Sequence, residues 1–404
     1  MNTVRARVWQ FRLERKIQVV ATVVGRGTLA VSLARLLHIN AMACDLRKVL
    51  DYRTRQLEVR LLLSYLGGPG GNTLRLDHSA FAASSRHIRG FVSECSGLGV
   101  LTAASEAIFA WQHGAHDLHN FDALPRQLLW EYDAKGVRPD LLFHLPKGPV
   151  AGEARGRYRG AKKILPKKPL RPQMDRLREL ANWSSVHDDH SYFMSWLYIG
   201  PSGVAVDIFL PADPRWEWGT DLRAAAFQAD VEEQDDAQEW RFPLQEDLPR
   251  WRGQRPSPRR PVPDDTETIG IVDEMPRFDA FAPALPLDVL ELDSQERAAR
   301  VIDSLFRTAP DAGPDAELAG IPVRGTWAPA DQLGDARYEV LLGVLAEPAG
   351  ERGDVRRVDV KERLARAEGR FDVCLDGRLL TVVRPVAAPR PDWMQLERVL
   401  LADR

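Results

Sequence analysis

The sequence predicts an α/β protein in which helices flank a mixed β-sheet. Apolar and polar residues alternate over residues 140–145, which is the period of a half-buried strand. Two further apolar runs, residues 190–199 and 204–210, flank a Gly-Pro-Ser-Gly turn and predict a second pair of strands. Helical patterns over residues 98–111 and from Gln173 onward place helices between these strands, as α/β folds require.

Length and composition indicate a globular protein with more than one hydrophobic core. The chain has 404 residues, 44% of them apolar, and a net charge of −2. Residues 17–39 are apolar but contain Arg26 and Arg35, and no cleavable signal sequence precedes them, so we expect no membrane association. Three scattered cysteines predict neither a disulfide framework nor a zinc site, which fits a cytoplasmic protein.

The strand at residues 140–145 is predicted to form a hairpin with the segment that follows it. If the turn centres on Lys147-Gly148, Asp140 lies opposite Arg155 and Leu142 lies opposite Glu153. Because side chains alternate along a strand, Asp140, Glu153 and Arg155 then share one face of the hairpin. A register shift of one residue would move Asp140 to the other face.

The second strand of this hairpin carries three small residues on its opposite face. Gly152, Ala154 and Gly156 alternate with the charged side chains. Residues without bulky side chains let a helix approach the sheet closely, so we expect a helix to pack on this face.

The charged face has the chemistry of a magnesium site. Two carboxylates from adjacent strands, with a cation beside them, can hold a hard divalent ion that prefers oxygen ligands. Pro139-Asp140 followed by Glu153-Ala154-Arg155 resembles the pattern of the PD-(D/E)xK nuclease superfamily, in which the last residue is lysine. The resemblance covers about residues 98–211 and includes an upstream helix with Glu106 and a downstream helix that begins near Gln173.

This resemblance implies a restriction-endonuclease-like core, αβββαβ, and a nuclease dependent on Mg²⁺ or Mn²⁺. It implies that Asp140, Glu153 and the Ala154 carbonyl hold the metal, that Gln173 orients water or substrate, and that Glu106 assists. Arg155 departs from the family's lysine: arginine stabilises phosphate charge but stays protonated and cannot act as a base. The alternative is therefore an inactive protein of nuclease fold that binds nucleic acid or serves as a scaffold.

The segment around this hairpin is strongly basic. Residues 138–178 contain twelve basic and three acidic side chains, a net charge of +9. Such a patch is suited to phosphate, and we expect it to bind nucleic acid, DNA rather than RNA. A solvated loop without a partner is the alternative. The predicted nucleic-acid-binding residues are Arg157, Arg159, Lys162, Lys163, Lys167 and Lys168.

The chain divides by composition into four parts. Residues 1–75 predict an N-terminal α/β extension and residues 76–215 the nuclease-like core. Residues 216–265 predict an acidic and Pro/Arg-rich linker, whose acids are either solvated or a cover for the basic groove. Residues 266–404 predict a small α+β domain that binds nucleic acid or a protein partner; the oligomeric state is left open.

Two further patterns in the sequence are similar to known structural motifs. Gly25-Arg-Gly27 between apolar runs imitates a dinucleotide-binding turn, but no repeated βαβ pattern follows, and turn glycines are the simpler explanation. In the C-terminal part, helices at residues 295–307, 335–345 and 360–367 precede a hairpin with an Asp376-Gly377 turn, which suggests a winged-helix-like module.

Overall fold

The computed structural model of the protein describes most of the chain outside residues 213–286. The described residues are 2–14, 18–42, 51–66, 73–109, 118–121, 138–145, 148–160, 163–187, 189–212, 239–241, 287–349, 367 and 370–401. The predicted acidic and proline-rich linker therefore lies outside the described residues except for residues 239–241.

The larger of two sheets is mixed, as predicted. Its strands are β1 (Asn2–Glu14), β2 (Gln18–Val31), β3 (Leu118–Asn120), β4 (Leu141–Leu145), β5 (Gly148–Tyr158), β6 (Tyr192–Gly200), β7 (Gly203–Pro211) and β8 (Glu239–Arg241). In the described part of the chain their order is β3-β4-β5-β6-β7-β1-β2-β8. The β5–β6 and β7–β1 pairs are parallel, and the other pairs are antiparallel. The strands of the predicted N-terminal extension thus belong to the same sheet as the β4–β5 hairpin.

Helices cover both faces of this sheet. The described helices are α1 (Leu33–Met42), α2 (Tyr52–Tyr65), α3 (His78–Ala83), α4 (Arg86–Phe109), α5 (Arg171–Val186), α6 (Leu287–Thr308) and α7 (Trp393–Leu400). The predicted helices near residues 98–111 and from Gln173 are confirmed as α4 and α5. Helix α5 connects β5 to the parallel β6 and packs on one face, whereas α4 packs on the other. Among the helices that the structure describes, none has the length and apolar run needed to cross a membrane.

The close approach of α4 to the small-residue face of β5 is confirmed. A methyl group on Gly156 would lie 1.9 Å from the Ser93 carbonyl oxygen, and one on Gly97 would lie 3.3 Å from the Gly156 nitrogen. The helix therefore rests on the backbone of β5, directly behind the charged face.

We expect Gly156→Ala to destabilise the protein by about 1–3 kcal/mol, because α4 must move away from β5 to admit the methyl group. Gly90→Ala in the same helix is the matched control. A methyl group there meets no atom within 4 Å, so helix propensity alone should stabilise the protein by about 0.5–1 kcal/mol. Urea denaturation measures both changes. Equal stability of Gly156→Ala and the parent would contradict this account of the packing.

The second sheet is antiparallel and lies in the C-terminal part. Its strands are β9 (Glu317–Leu318), β10 (Ile321–Pro329), β11 (Tyr338–Leu345), β12 (Asp372–Asp376) and β13 (Leu379–Pro385), in the order β12-β13-β11-β10-β9. The predicted hairpin is confirmed as β12–β13, with Gly377 at φ +56° in its turn. The helix predicted over residues 335–345 is wrong, because these residues form the central strand β11. With five paired strands here, the described residues do not form a winged-helix-like module.

Helices α1 and α2 lie between α4 and the C-terminal sheet and contact both. Asp372 on β12 caps α1: its carboxylate accepts hydrogen bonds from the Ser32 hydroxyl (3.0 Å) and the Ala34 nitrogen (3.2 Å). Tyr52 on α2 donates to the Leu342 carbonyl oxygen of β11 (2.6 Å). One cluster of buried apolar residues includes these helices and strands from both sheets. The C-terminal sheet is thus packed against the helices behind the main sheet.

The N-terminal glycines do not form a nucleotide-binding turn. Gly25 and Gly27 lie within β2 and pair with Val8 and Ala6 of β1. The dinucleotide-binding motif needs its glycines at the turn from a strand into a helix. That alternative is therefore wrong. Asp45 lies near the sequence position at which such a motif has its ribose-binding acid, and it is outside the described residues.

Candidate metal and nucleic-acid site

The β4–β5 hairpin brings Asp140 and Glu153 together, in a register that differs from the predicted one by two residues. Leu145 pairs with Gly148, and Leu141 pairs with Gly152. Gly148 has a φ of +122° at the first position of β5, so the turn lies one residue earlier than expected. Asp140 therefore lies opposite Glu153, not Arg155. Because a shift of two preserves the alternation of side chains, Asp140, Glu153 and Arg155 still share one face, as predicted.

Glu153 is held by two guanidinium groups. Its Oε1 atom lies 2.6 Å from Nη2 of Arg155 and accepts a hydrogen bond from Nε of Arg176 (2.7 Å). The Glu153 side chain is fully buried, and its Oε2 atom has no hydrogen-bond partner. One oxygen of this carboxylate is thus saturated, and the other is buried without a partner.

Asp140 marks the place where the hairpin ladder ends. Its backbone N–H donates to the Gly152 carbonyl oxygen (3.0 Å), and its Oδ2 atom accepts a hydrogen bond from the Ala154 nitrogen (2.8 Å). This second bond holds the Asp140 carboxylate beside the Glu153–Ala154 peptide.

Burial raises the pKa of both carboxyl groups. For Asp140, burial outweighs the Ala154 hydrogen bond and the charges of Arg155 and Arg176, which lower its pKa. For Glu153, burial and the negative charge of Asp140 raise the pKa to about 8, although both arginines oppose this shift. Two acids that disfavour each other's ionisation are suited to a shared cation, which removes their mutual repulsion.

The residues present fit a hard divalent cation. The donors are carboxylate oxygens, which Mg²⁺ and Mn²⁺ prefer, and the partnerless Oε2 atom of Glu153 needs a positive neighbour. Among the residues that the structure describes, no group of three or more Asp, Glu, His or Cys side chains has metal-binding geometry. A cation here would therefore rely on two carboxylates, the Ala154 carbonyl implied by the resemblance, and water.

Gln173 belongs to a different, fully buried network. Its Oε1 atom accepts a hydrogen bond from the Leu170 nitrogen (2.6 Å) at the start of α5, and its Nε2 atom donates to Tyr198 (2.7 Å) and Asp207 (3.4 Å). Asp207 also forms a buried ion pair with Arg7 (2.7 Å). These contacts give Gln173 a structural role in fixing α5 to the sheet, in place of the predicted contact with water or substrate.

Glu106 is likewise placed away from the two carboxylates. Its Oε1 atom lies 3.2 Å from Nη2 of Arg35 on α1, in a cluster that also includes Asp376 of the C-terminal sheet. On α4, the negative charge of Glu94 raises the pKa of Asp140, although its effect is smaller than those of burial, the Ala154 hydrogen bond and the two arginines.

The sequence interpretation missed Arg176 and Glu94. Arg176 lies one turn after Gln173 on α5, so helical spacing from the predicted helix start would have identified it as a residue of the same face. Glu94 lies four residues before Leu98, outside the predicted helix, because α4 begins twelve residues earlier than expected.

The predicted basic surface is present at the end of β5 and in the loop that follows. Arg157 is exposed and its guanidinium lies over the Trp196 ring (5.8 Å); Arg159 lies over the Tyr198 ring (6.0 Å). The ammonium-bearing residues of the loop, Lys163, Lys167 and Lys168, are all exposed. Lys162 lies outside the described residues.

Comparison of the chain with protein-family models, curated proteins and solved structures finds no match in any of the three.

Proposed function

We propose that this protein is a metal-dependent nuclease with a restriction-endonuclease-like core, which hydrolyses phosphodiester bonds of nucleic acid. The observation that carries the proposal is the pair Asp140 and Glu153, brought together on adjacent antiparallel strands with a buried carboxylate oxygen that lacks a partner. The described elements from α4 to β6 follow the order αβββαβ, which supports this core. As in the sequence analysis, we expect the substrate to be DNA rather than RNA and the protein to be cytoplasmic.

In the proposed mechanism Asp140, Glu153 and the Ala154 carbonyl hold Mg²⁺ or Mn²⁺. Such an ion, when bound, supplies a Lewis acid and lowers the pKa of bound water. The protein itself orients the two carboxylates and supplies positive charge to the phosphate. The Ala154 N–H orients Asp140, and Arg176 orients Glu153 through Oε1, so Oε2, which has no hydrogen-bond partner, would be the oxygen that Glu153 offers to a metal.

Arg155 supplies positive charge next to the carboxylates. Its side chain is one-third exposed, so it reaches solvent from the same face of β5 as Glu153. A guanidinium can bind two phosphate oxygens at once and stabilise the charge that develops on them, but it does not take a proton. Arg155 is therefore proposed to stabilise the transition state electrostatically, and the proton of the attacking water must pass to a base other than Arg155, such as solvent.

The exposed basic residues are proposed to hold the phosphate backbone. Neutralising Lys163, Lys167 and Lys168 together should lower the slope of log K against log salt by about 2–3 units, since each phosphate contact contributes about 0.7–0.9. Neutralising Arg53, Arg300 and Arg307, exposed residues on α2 and α6, is a control with the same charge change. Fluorescence anisotropy with a labelled oligonucleotide gives both slopes. If the lysine variant keeps the parental slope, these lysines do not contact phosphate.

The raised pKa of Glu153 predicts that metal binding depends on pH. A carboxyl group with a pKa of about 8 is protonated below that pH, and a proton must leave before the metal binds. We therefore expect Mg²⁺ affinity to rise about tenfold per pH unit between pH 6 and 7 and to level off above pH 8. Calorimetry in two buffers of different ionisation enthalpy also counts the released protons. A constant affinity from pH 6 to pH 9 without proton release would contradict this prediction.

A nuclease assay tests the proposed function directly. The protein is incubated with labelled single-stranded DNA, duplex DNA and RNA, in the presence of Mg²⁺, Mn²⁺ or EDTA. We expect cleavage with either metal and none with EDTA. Absence of cleavage on every substrate with both metals would reject the proposal.

A second candidate is a protein of the same fold that binds nucleic acid or serves as a scaffold without cleaving it. The specific observation in its favour is that both Arg155 and Arg176 contact the Oε1 atom of Glu153, so the carboxylate already has positive partners. Mg²⁺ titration separates the two candidates: only the nuclease requires metal binding that depends on Asp140 and Glu153.

A further inference from the structure

Tyr158, at the end of β5, is a large aromatic residue exposed among positive charges. It is 43% exposed. Its neighbours along the strand, Arg157 and Arg159, point to the other face of the sheet, and Lys163 follows in the exposed loop. Part of its ring is therefore open to a ligand.

The Tyr158 ring is held in place by two other rings. The His78 ring stacks on it, with centroids 5.6 Å apart and planes 28° apart, and the His78 Nε2 atom lies 3.0 Å from the Tyr158 hydroxyl. The buried Phe81 ring contacts it at 5.9 Å. Because the ring is already ordered, a ligand that stacks on it loses little additional conformational entropy.

Positive charge approaches Tyr158 from α4 as well. Leu101 of α4 lies over Gly152, and Ser93 lies over Gly156, so the helix runs antiparallel to β5. Its first turn, with Arg86 and Arg89, therefore extends beyond Gly156 toward Tyr158. The nearby acid Asp77 is already engaged, because it caps α3 at the Ala80 nitrogen (3.1 Å) and pairs with Arg337 (3.3 Å).

The geometry points to Tyr158 as a stacking platform for a base of single-stranded nucleic acid, with Arg86 and Arg89 of α4, on the same face of the sheet, on the neighbouring phosphates. Aromatic rings that alternate with cations are the common device of single-strand binding, since every base has a face that can stack. In a duplex the bases are stacked on one another inside the helix, so no base face is free to stack on Tyr158. The inference rests on the proposed function, whose substrate it narrows to strands with a single-stranded segment.

The distance along β5 fits this arrangement. Tyr158 lies five residues from Glu153 on the same strand, which corresponds to roughly 17 Å at about 3.3 Å per residue. Because five is an odd number, the side chains of Tyr158 and Glu153 lie on opposite faces of β5. Among the described residues β4 pairs with β5 only as far as Gly152, so a strand that stacks on Tyr158 can pass the unpaired edge of β5 and reach Arg155 and the two carboxylates on the other face.

The test compares Tyr158→Leu with Tyr158→Phe, which keeps the ring. Anisotropy titrations in EDTA use a labelled 20-nucleotide single strand, as DNA and as RNA, and the blunt duplex of the same sequence. We expect Tyr158→Leu to weaken single-strand binding about tenfold, Tyr158→Phe to bind like the parent, and all three proteins to bind the duplex alike. Thermal unfolding of each variant checks that the fold is retained; if the leucine variant unfolds, Tyr158→Gln replaces it.

The inference is overturned if Tyr158→Leu binds the single strand as tightly as the parent, or if it loses single-strand and duplex binding equally. If the parent prefers the DNA or the RNA strand, the inference stands, and the preference shows which sugar the protein binds. Because these titrations contain no metal, they are independent of cleavage. A parent that binds through Tyr158 but never cuts would reject the nuclease alone, and a parent that cuts with no role for Tyr158 would reject this inference alone.

Discussion

Glu153→Gln is expected to lower cleavage by about 10³-fold while leaving nucleic-acid binding nearly unchanged. The substitution keeps the volume of the side chain but removes the negative charge that the metal requires. Loss of one charged group that stabilises a transition state typically costs 10²–10³ in rate. The Oε2 atom of Glu153 is the buried oxygen without a partner, so the amide that replaces it leaves no anionic ligand at this position.

Glu179→Gln is the matched control for this experiment. Glu179 also pairs with Arg176, at 3.2 Å, but its side chain is 55% exposed and it lies on α5 rather than beside Asp140. Exposed ion pairs contribute about 0–1 kcal/mol, so this variant should cut at close to the parental rate. Single-turnover cleavage of a labelled strand measures both variants. If Glu153→Gln cuts as fast as Glu179→Gln, the assignment of the metal site is wrong.

Variants of Arg155 should show whether this residue stabilises the transition state or only forms an ion pair with Glu153. Arg155→Ala is expected to slow cleavage about 100-fold, because it removes a positive charge next to the reacting phosphate. Arg155→Lys keeps this charge and restores the residue usual in the superfamily, so its rate should equal or exceed that of the parent. The comparison requires saturating metal, since loss of Arg155 also leaves Glu153 with one guanidinium fewer.

Arg157→Ala provides the control for Arg155→Ala. Arg157 points to the same face of β5 but lies over the Trp196 ring, one residue pair further from Asp140. It should weaken binding without lowering the rate of the bound complex. If none of the Arg155 forms cuts, the inactive alternative gains support. If only Arg155→Lys cuts, the fold and the metal site are supported, whereas native nuclease activity is rejected.

The local sequence pattern was sufficient to predict the hairpin and the face that its charged residues share. The alternation in Leu141, Phe143 and Leu145 predicted a strand, and the small residues Gly152 and Gly156 predicted a close helix; both are confirmed. The register itself was wrong by two residues. The prediction of one charged face was correct nevertheless, because side-chain direction repeats every two residues and a shift of two leaves it unchanged.

Local pattern failed where a buried run has no alternation. Residues 338–345 were predicted to be helical, but they form β11, which is covered on both faces and carries only one charged residue, Glu339. A short apolar run of this kind does not distinguish a central strand from a buried helix, and only its neighbours β10 and β13 fix the choice.

Sequence pattern alone was sufficient to predict the α/β class, the proximity of Asp140, Glu153 and Arg155, and the basic segment beside them, because each depends on residues close together in the chain. Only the tertiary structure decided the partners that come from afar. Arg176 on α5 donates a hydrogen bond to Glu153, and Gln173 donates one to Asp207. Glu106 forms an ion pair with Arg35. These choices follow from how helices pack on the sheet, and no local periodicity encodes that geometry.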